Sequence, residues 1–175
     1  MNFQDFRQQR ADHVAMMAAN GYNDGDSNRN GEFFTLDALA PYFDLFVDIG
    51  SNQGIFIDRL NQSPRHFILA FEPNPFLTDL LLEKISKGSL VQKTLSNHEG
   101  AGQLNIYKDN TTSSLLKRDD LMPHFTKSCE PVKIEIDLLD NYFPLIRQSS
   151  SKGIFIKIDA EGAEFPILEG ASVVL

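Results

Sequence analysis

Three apolar runs in this 175-residue chain each end in a carboxylate, and the residues around those carboxylates are the ones equipped for chemistry. In the first, Phe46-Val47-Asp48-Ile49 breaks into the glycine-bracketed turn Gly50-Ser51-Asn52-Gln53-Gly54. The second, Phe67-Ile68-Leu69-Ala70-Phe71-Glu72, is stopped by Pro73-Asn74-Pro75, since proline has no N–H to offer a sheet ladder. The third, Gly153-Ile154-Phe155-Ile156-Lys157-Ile158-Asp159, runs into Ala160-Glu161-Gly162-Ala163-Glu164. A carboxylate at a strand end can accept two hydroxyl hydrogen bonds at once or take up a proton. Gly50 and Gly54 permit a tight turn and the close approach of a ligand where a Cβ would collide. The spacing D-x-G-x-x-x-G puts Asn52 where a dinucleotide fingerprint has its second, phosphate-facing glycine. The pattern predicts a nucleotide-like cofactor without a phosphate and argues against a nicotinamide-dependent oxidoreductase.

Strands must hold these groups in place. The three runs are apolar without polar alternation, as expected of strands buried on both faces of a parallel sheet. In open α/β sheets ligands bind beyond the carboxyl ends of the strands, and an acid about 20 residues past the glycine loop receives ribose hydroxyls. Glu72 follows Asp48 by 24 residues. Lys157 and Asp159 are two apart and leave the same strand face, so Lys157, Asp159 and Glu161 are candidate reaction-centre residues. The competing structural readings are a cap or turn acceptor for each strand-end acid and a plain Lys157–Asp159 ion pair. Carboxylate-rich sites attract Mg²⁺, but the spacing defines no ligand set, and no metal site is assigned.

Together the three segments resemble the FkbM-type S-adenosylmethionine-dependent methyltransferases. The resemblance rests on 47–54, on Phe71-Glu72-Pro73-Asn74-Pro75, and above all on 156–164 with Leu168-Glu169-Gly170-Ala171 behind it. Weaker echoes are Leu95-Ser96-Asn97-His98-Glu99-Gly100, Ser113-Ser114 and Leu139-Asp140. It implies an α/β, Rossmann-like class I methyltransferase fold, with a mostly parallel sheet and helices on both faces. It implies that Asp48, Gly50, Ser51, Asn52 and Gly54 shape the loop under the methionine and ribose of S-adenosylmethionine. Glu72 would hold the ribose hydroxyls, Pro73 and Asn74 would border the adenine, and Ser96 would contact that ring. The implied reaction is O-methylation of a hydroxyl on a sugar, glycan or natural-product acceptor. Asp159 is then the first choice for general base, Glu161 and Glu164 are the alternatives, and Lys157 orients a carboxylate or the acceptor. The complete sheet of such enzymes has strands beyond the helix that ends near Gly170, so the resemblance implies a chain truncated after the fourth core strand. A non-catalytic cofactor-binding remnant is therefore the other reading.

Composition narrows the field. An apolar content of 42% suffices for one domain with a real core. Acidic residues outnumber basic ones 24 to 16, and the net charge of −8 disfavours nucleic acid as partner. A lone Cys129 permits no internal disulfide and has no neighbouring histidine to activate it. No run approaches the about 20 apolar residues of a membrane span, and a signal-peptide core is lacking. A cytoplasmic protein is expected.

Residues 1–31 form a cap or lid, with an amphipathic helix over 3–19 and a turn-rich loop after it. Asp26, Asn28, Asn30, Gly31 and Asp37 match a calcium-loop pattern, but Pro41 and an early strand leave no room for the required exit helix. The core spans 32–175. A helix from Phe76 to Lys87 is expected to end at Gly88, a strand to cover Ser89 to Leu95, and a short helix to be capped by Gly170. Within an insert over 98–150, strands are expected at Gln103 to Tyr107 and Val132 to Asp137 in place of a simple crossover helix, and the insert is a candidate wall of the acceptor pocket. His98 and His124 are read as surface residues.

Overall fold

The computed structural model describes residues 26–63, 65–106, 113–114 and 130–175; the helix expected over 3–19, His124 and Cys129 lie outside them. The chain divides into two compact units, Met1–Tyr42 and Phe43–Leu175. In the first, helix α1 (Glu32–Leu39) is followed by a 3-10 turn over Ala40–Tyr42. An exit helix thus forms where none was expected, because Pro41 falls in the turn after α1 rather than inside it. The oxygen-bearing side chains before it turn to one another. Asn28 donates to Asp26 at 3.0 Å, Arg29 pairs with Asp26 at 2.9 Å, and Ser27 and Asn30 donate to Glu32, each at 2.9 Å.

In the second unit, β1 (Leu45–Ile49), β2 (Phe67–Phe71), β3 (Gly88–Val91) and β8 (Ile154–Ile158) form a parallel sheet in the order β3-β2-β1-β8. Every residue of β1 is buried, which is why its sequence shows no alternation. On one face Leu45, Val47 and Ile49 pack with Ile146 of α4 (Phe143–Ser149) and Ile167 of α5 (Glu164–Glu169). On the other, Phe46 stacks near Phe155, which in turn meets Phe56 of α2 (Ile55–Leu60). Helix α3 (Thr78–Lys84) joins this second layer through Leu81 and Lys84, which crowd Gly54. The sheet is therefore covered on both faces, the Rossmann-like α/β arrangement. The chain steps outward from β1 to β3 and then returns to β8 on the far side of β1. That reversal creates a switch point at the carboxyl ends of β1 and β8. The start of β8 is tied to that of β1 by Asp44, which accepts from the hydroxyls of Ser150 and Ser151 at 2.8 and 2.7 Å.

A second sheet, β4-β7-β5-β6, is built from β4 (Thr94–Leu95), β5 (Gly100–Ile106), β6 (Ser113–Ser114) and β7 (Glu130–Asp137). The strands expected in the insert are β5 and β7, paired antiparallel from Gly100↔Ile136 to Ile106↔Glu130. Leu104, Ile106 and Ile134 make a small core of their own.

Three local expectations are corrected. The strand over Ser89 to Leu95 is cut at Gln92-Lys93: its first half pairs with β2, its second with β7 in the other sheet. The helix over Phe76 to Lys87 is a 3-10 turn (Pro75–Leu77) plus α3, and Gly88 begins β3 instead of capping a helix. A Cβ there would lie 1.9 Å from the Ile68 carbonyl oxygen. The short helix α5 does end at its expected cap, Gly170, whose φ of −84° is not left-handed; a Cβ there would meet the Ser96 carbonyl at 2.1 Å. Both glycines serve close packing. The crossover helix is not replaced by the insert, since α4 follows its strands, started by Pro144 in its first turn.

Asp137 anchors the insert. Its carboxylate accepts from Lys93 (2.9 Å), Asn141 (2.5 Å), Tyr142 (3.0 Å) and its neighbour's backbone N–H at Leu138 (2.9 Å). Burial works against its charge, but these donors outweigh burial and hold the carboxyl at about 2 against an ordinary 3.8. The lowered value means that the stabilisation is full above pH 3.8 and is lost as pH falls through about 2. Asp137→Asn is expected to cost about 1–3 kcal/mol of unfolding free energy at neutral pH. Urea denaturation should show that cost shrinking as the pH is lowered through this window; a cost independent of pH would contradict the assignment.

Candidate active site

The cleft lies at the carboxyl edge of the parallel sheet, and its geometry starts from glycine. Gly50 leaves β1 at φ +80°, and its N–H, with that of Ser51, donates to the Phe71 carbonyl at 2.9 and 3.1 Å. A Cβ at Gly50 would sit 2.0 Å from the carbonyl oxygen of Asp159, and one at Gly54 would sit 2.9 Å from the side chains of Leu81 and Lys84. Both glycines are thus demanded by neighbouring protein, the exit of β8 and helix α3. Asn52 adopts the left-handed conformation, at φ 48°, that a glycine would otherwise supply.

Glu72 closes the loop from the other strand. One carboxylate oxygen accepts the N–H of Asn52 at 2.8 Å, and the other accepts the N–H of Asn74 at 2.9 Å. Glu72 is buried, and burial pushes its carboxyl up against the pull of those two N–H groups. Each oxygen retains a further lone pair for a diol, so the turn-acceptor and ribose-binding readings are compatible. Asn74, fully buried, accepts the Phe76 N–H at 3.0 Å and sets the turn into α3.

The third loop follows β8. The Asp159 N–H donates to Ile49 at 2.9 Å, which fixes the loop against β1. Glu161, at φ 50°, and Gly162, at φ 98°, then turn it left-handed. For a non-glycine residue this conformation costs on the order of 1 kcal/mol. Glu164 offsets it from α5: its carboxylate accepts from Ala160 at 3.2 Å and from Gly162 at 3.0 Å. Burial raises the Glu164 carboxyl, but these N–H groups outweigh it and hold the group below the ordinary range.

Gly50, Asn52, Glu72, Pro73, Asp159 and Glu161 line one cleft together. Asp48, Ser51, Gly54, Asn74, Ser96, Lys157 and Glu164 are not among its lining residues. Ser51 donates its hydroxyl to the Asp48 carbonyl at 3.0 Å, and Ser96 is buried, with its hydroxyl 3.4 Å from Asn97 Oδ1. Lys157 stands 3.4 Å from both Asp48 Oδ1 and Asp159 Oδ2, with its ammonium 5.6 Å from the Phe56 ring centroid. Burial alone would lower the Lys157 pKa; the two carboxylates reverse that and leave it raised.

Sequence reasoning missed Lys93, Thr94 and Leu104, which also line the cleft. No motif marks them, because the second sheet carries them there. Leu104 makes the insert part of the wall. Lys93 pairs with Asp137 at 2.9 Å and Glu135 at 3.3 Å, so its charge is already committed. Among the described residues, the lining of the cleft carries the carboxylates of Glu72, Asp159 and Glu161. That charge suits a cationic adenosyl donor and opposes a pyrophosphate. Among the described residues, no helix is long and apolar enough to cross a membrane.

A model of the methyltransferase FkbM domain matches residues 48–175, which takes in all three strand-end loops and the insert. No curated protein and no solved structure matches the chain. With the glycine loop, Glu72 and the Asp159–Glu164 loop converging on one cleft inside the matched region, the chain belongs to the FkbM methyltransferase family.

Proposed function

We propose that this methyltransferase uses S-adenosylmethionine and methylates a hydroxyl of a sugar, glycan or polyhydroxylated natural product. The observation that carries the reading is the clip made by Glu72: a buried carboxylate, fixed by backbone from two strand-end loops, faces a cleft in which the described residues place no uncommitted cation. In this reading Glu72 holds the ribose hydroxyls, Gly50 and Asn52 give the floor under the donor, and Pro73 borders the adenine. Asp48, Ser51, Gly54, Asn74 and Ser96 support that surface from behind. The donor supplies an electrophilic methyl group on a sulfonium. Asp159 accepts the proton of the attacking hydroxyl, which otherwise ionises far above neutral pH. Glu161, on the same wall, fixes the acceptor, and Glu164 holds the loop that presents both. Leu104 and its sheet exclude water from one side.

Calorimetric titration of the chain with S-adenosylmethionine, S-adenosylhomocysteine and NADH tests the donor. Binding of the adenosyl compounds and not of NADH is expected; the reverse result, or no binding at all, sinks the reading. Transfer of labelled methyl to a panel of neutral sugars and polyols tests the acceptor. With any acceptor found, Asp159→Asn should lower the rate by roughly 100- to 10,000-fold. An unchanged rate would remove Asp159 from the proton path.

A further inference from the structure

Asp48 is the most conspicuous residue of the glycine-loop motif, yet it is fully buried and does not line the cleft. Neither of its carboxylate oxygens accepts a well-formed hydrogen bond among the described residues, and burial pushes its carboxyl up against the pull of Lys157 and Ser51. It forms an ion pair with Lys157, the residue directly opposite it in the β1–β8 register. The same ammonium is equally far, 3.4 Å, from Asp159, whose side chain is 62% exposed. A cation placed midway between a buried anion and a cleft anion is shared between them. Without the buried one, Asp159 would be the carboxylate left to it, and the Asp159 share of the charge that the cleft presents would be cancelled.

We infer that Asp48 is a positioning residue that acts on the cleft through Lys157: it holds part of the lysine's charge so that the Asp159 carboxylate stays available to the donor and acceptor. This rests on the proposed use of S-adenosylmethionine. It assigns Asp48 a role at a distance, not a contact with the cofactor. The arrangement makes the two partners act in opposite senses. Removing the Asp48 charge hands Lys157 to Asp159 and silences it. Removing the Lys157 charge frees Asp159.

The readout is the ratio of affinities for S-adenosylmethionine and S-adenosylhomocysteine, which differ at sulfur by one positive charge and one methyl. Calorimetry of the full chain provides it without an acceptor. The wild type is expected to favour the sulfonium by roughly tenfold, as one nearby charge in a partly wet site produces. Asp48→Asn should reduce that preference to about twofold or less, and Lys157→Met should raise it several-fold, whereas Lys157→Arg should restore it. In an Asp159→Asn background, Asp48→Asn should change nothing further. Loss of packing alone would move Asp48→Asn and Lys157→Met in the same direction, and that outcome overturns the proposal. So does an Asp48→Asn effect that persists without Asp159, the signature of direct contact with the donor. If Lys157→Met does not fold with its buried anion unpaired, the double change Asp48→Asn with Lys157→Met removes both charges and should still raise the ratio. Absence of binding by either compound in the wild type would instead remove the underlying reading. Equal binding of both would overturn this inference and leave that reading standing.

Discussion

Replacing Glu72 with alanine is expected to weaken S-adenosylmethionine binding by about 100-fold or more, since charge-assisted hydrogen bonds contribute about 1.5–3 kcal/mol each. The damage has two sources. The ribose loses its acceptor, and the N–H groups of Asn52 and Asn74, held at 2.8 and 2.9 Å, lose theirs. Two N–H groups without acceptors, one buried and one part-buried, should also cost the fold about 2–4 kcal/mol. Glu72→Gln separates the effects. It keeps the shape and one oxygen, but its amide sets a donor against one of those N–H groups, so one loop stays held and the other is released. Calorimetry and urea denaturation of the two variants should therefore rank alanine below glutamine and both below wild type. Alanine binding within about threefold of wild type would contradict the role given to Glu72.

The second large effect is expected at Gly50. An alanine Cβ there meets the Asp159 carbonyl oxygen at 2.0 Å, and the φ of +80° is unfavourable for any L side chain. The obstacle is backbone, not the end of a flexible side chain, so β1 and the β8 exit must separate by about 1.4 Å to regain ordinary contact. Gly50→Ala should cost about 3 kcal/mol or more, or roughly 6–12 °C in Tm, and should displace Asp159 from the cleft. Gly100→Ala is the control. Its φ is also positive, but a Cβ there has nothing within 4 Å, so backbone strain of about 1 kcal/mol is all it should show. Equal melting temperatures for the two variants would refute the packing argument.

Local sequence went a long way here for a specific reason. A strand covered on both faces is mostly apolar, so Asp48, Glu72 and Asp159 stand out at or beside the ends of apolar runs, and proline or glycine marks where each run stops. The same logic failed at Ser89 to Leu95. The composition suited a strand throughout, but which sheet each half joins depends on partners far away in the chain. Gly88 was misread for a related cause: a glycine needed for close packing cannot be told from a glycine cap without the opposing backbone. At α1, Pro41 suggested that no helix would fit, although a proline just past a helix is harmless to it.

By itself, then, the sequence determined the parallel α/β sheet, the three strand-end loops and the set of acids that could face a ligand, because each depends on short-range pattern and backbone chemistry. Only the tertiary structure decided which of those acids reach the cleft. Asp48 and Glu72 look equivalent as strand-end carboxylates, yet one is sealed behind Lys157 and the other is clamped at the wall. The difference comes from neighbours across the sheet, from the register that sets Lys157 opposite Asp48 and from the second sheet that brings Lys93 and Leu104 to the same cleft. Contacts so distant along the chain leave no periodic trace in it.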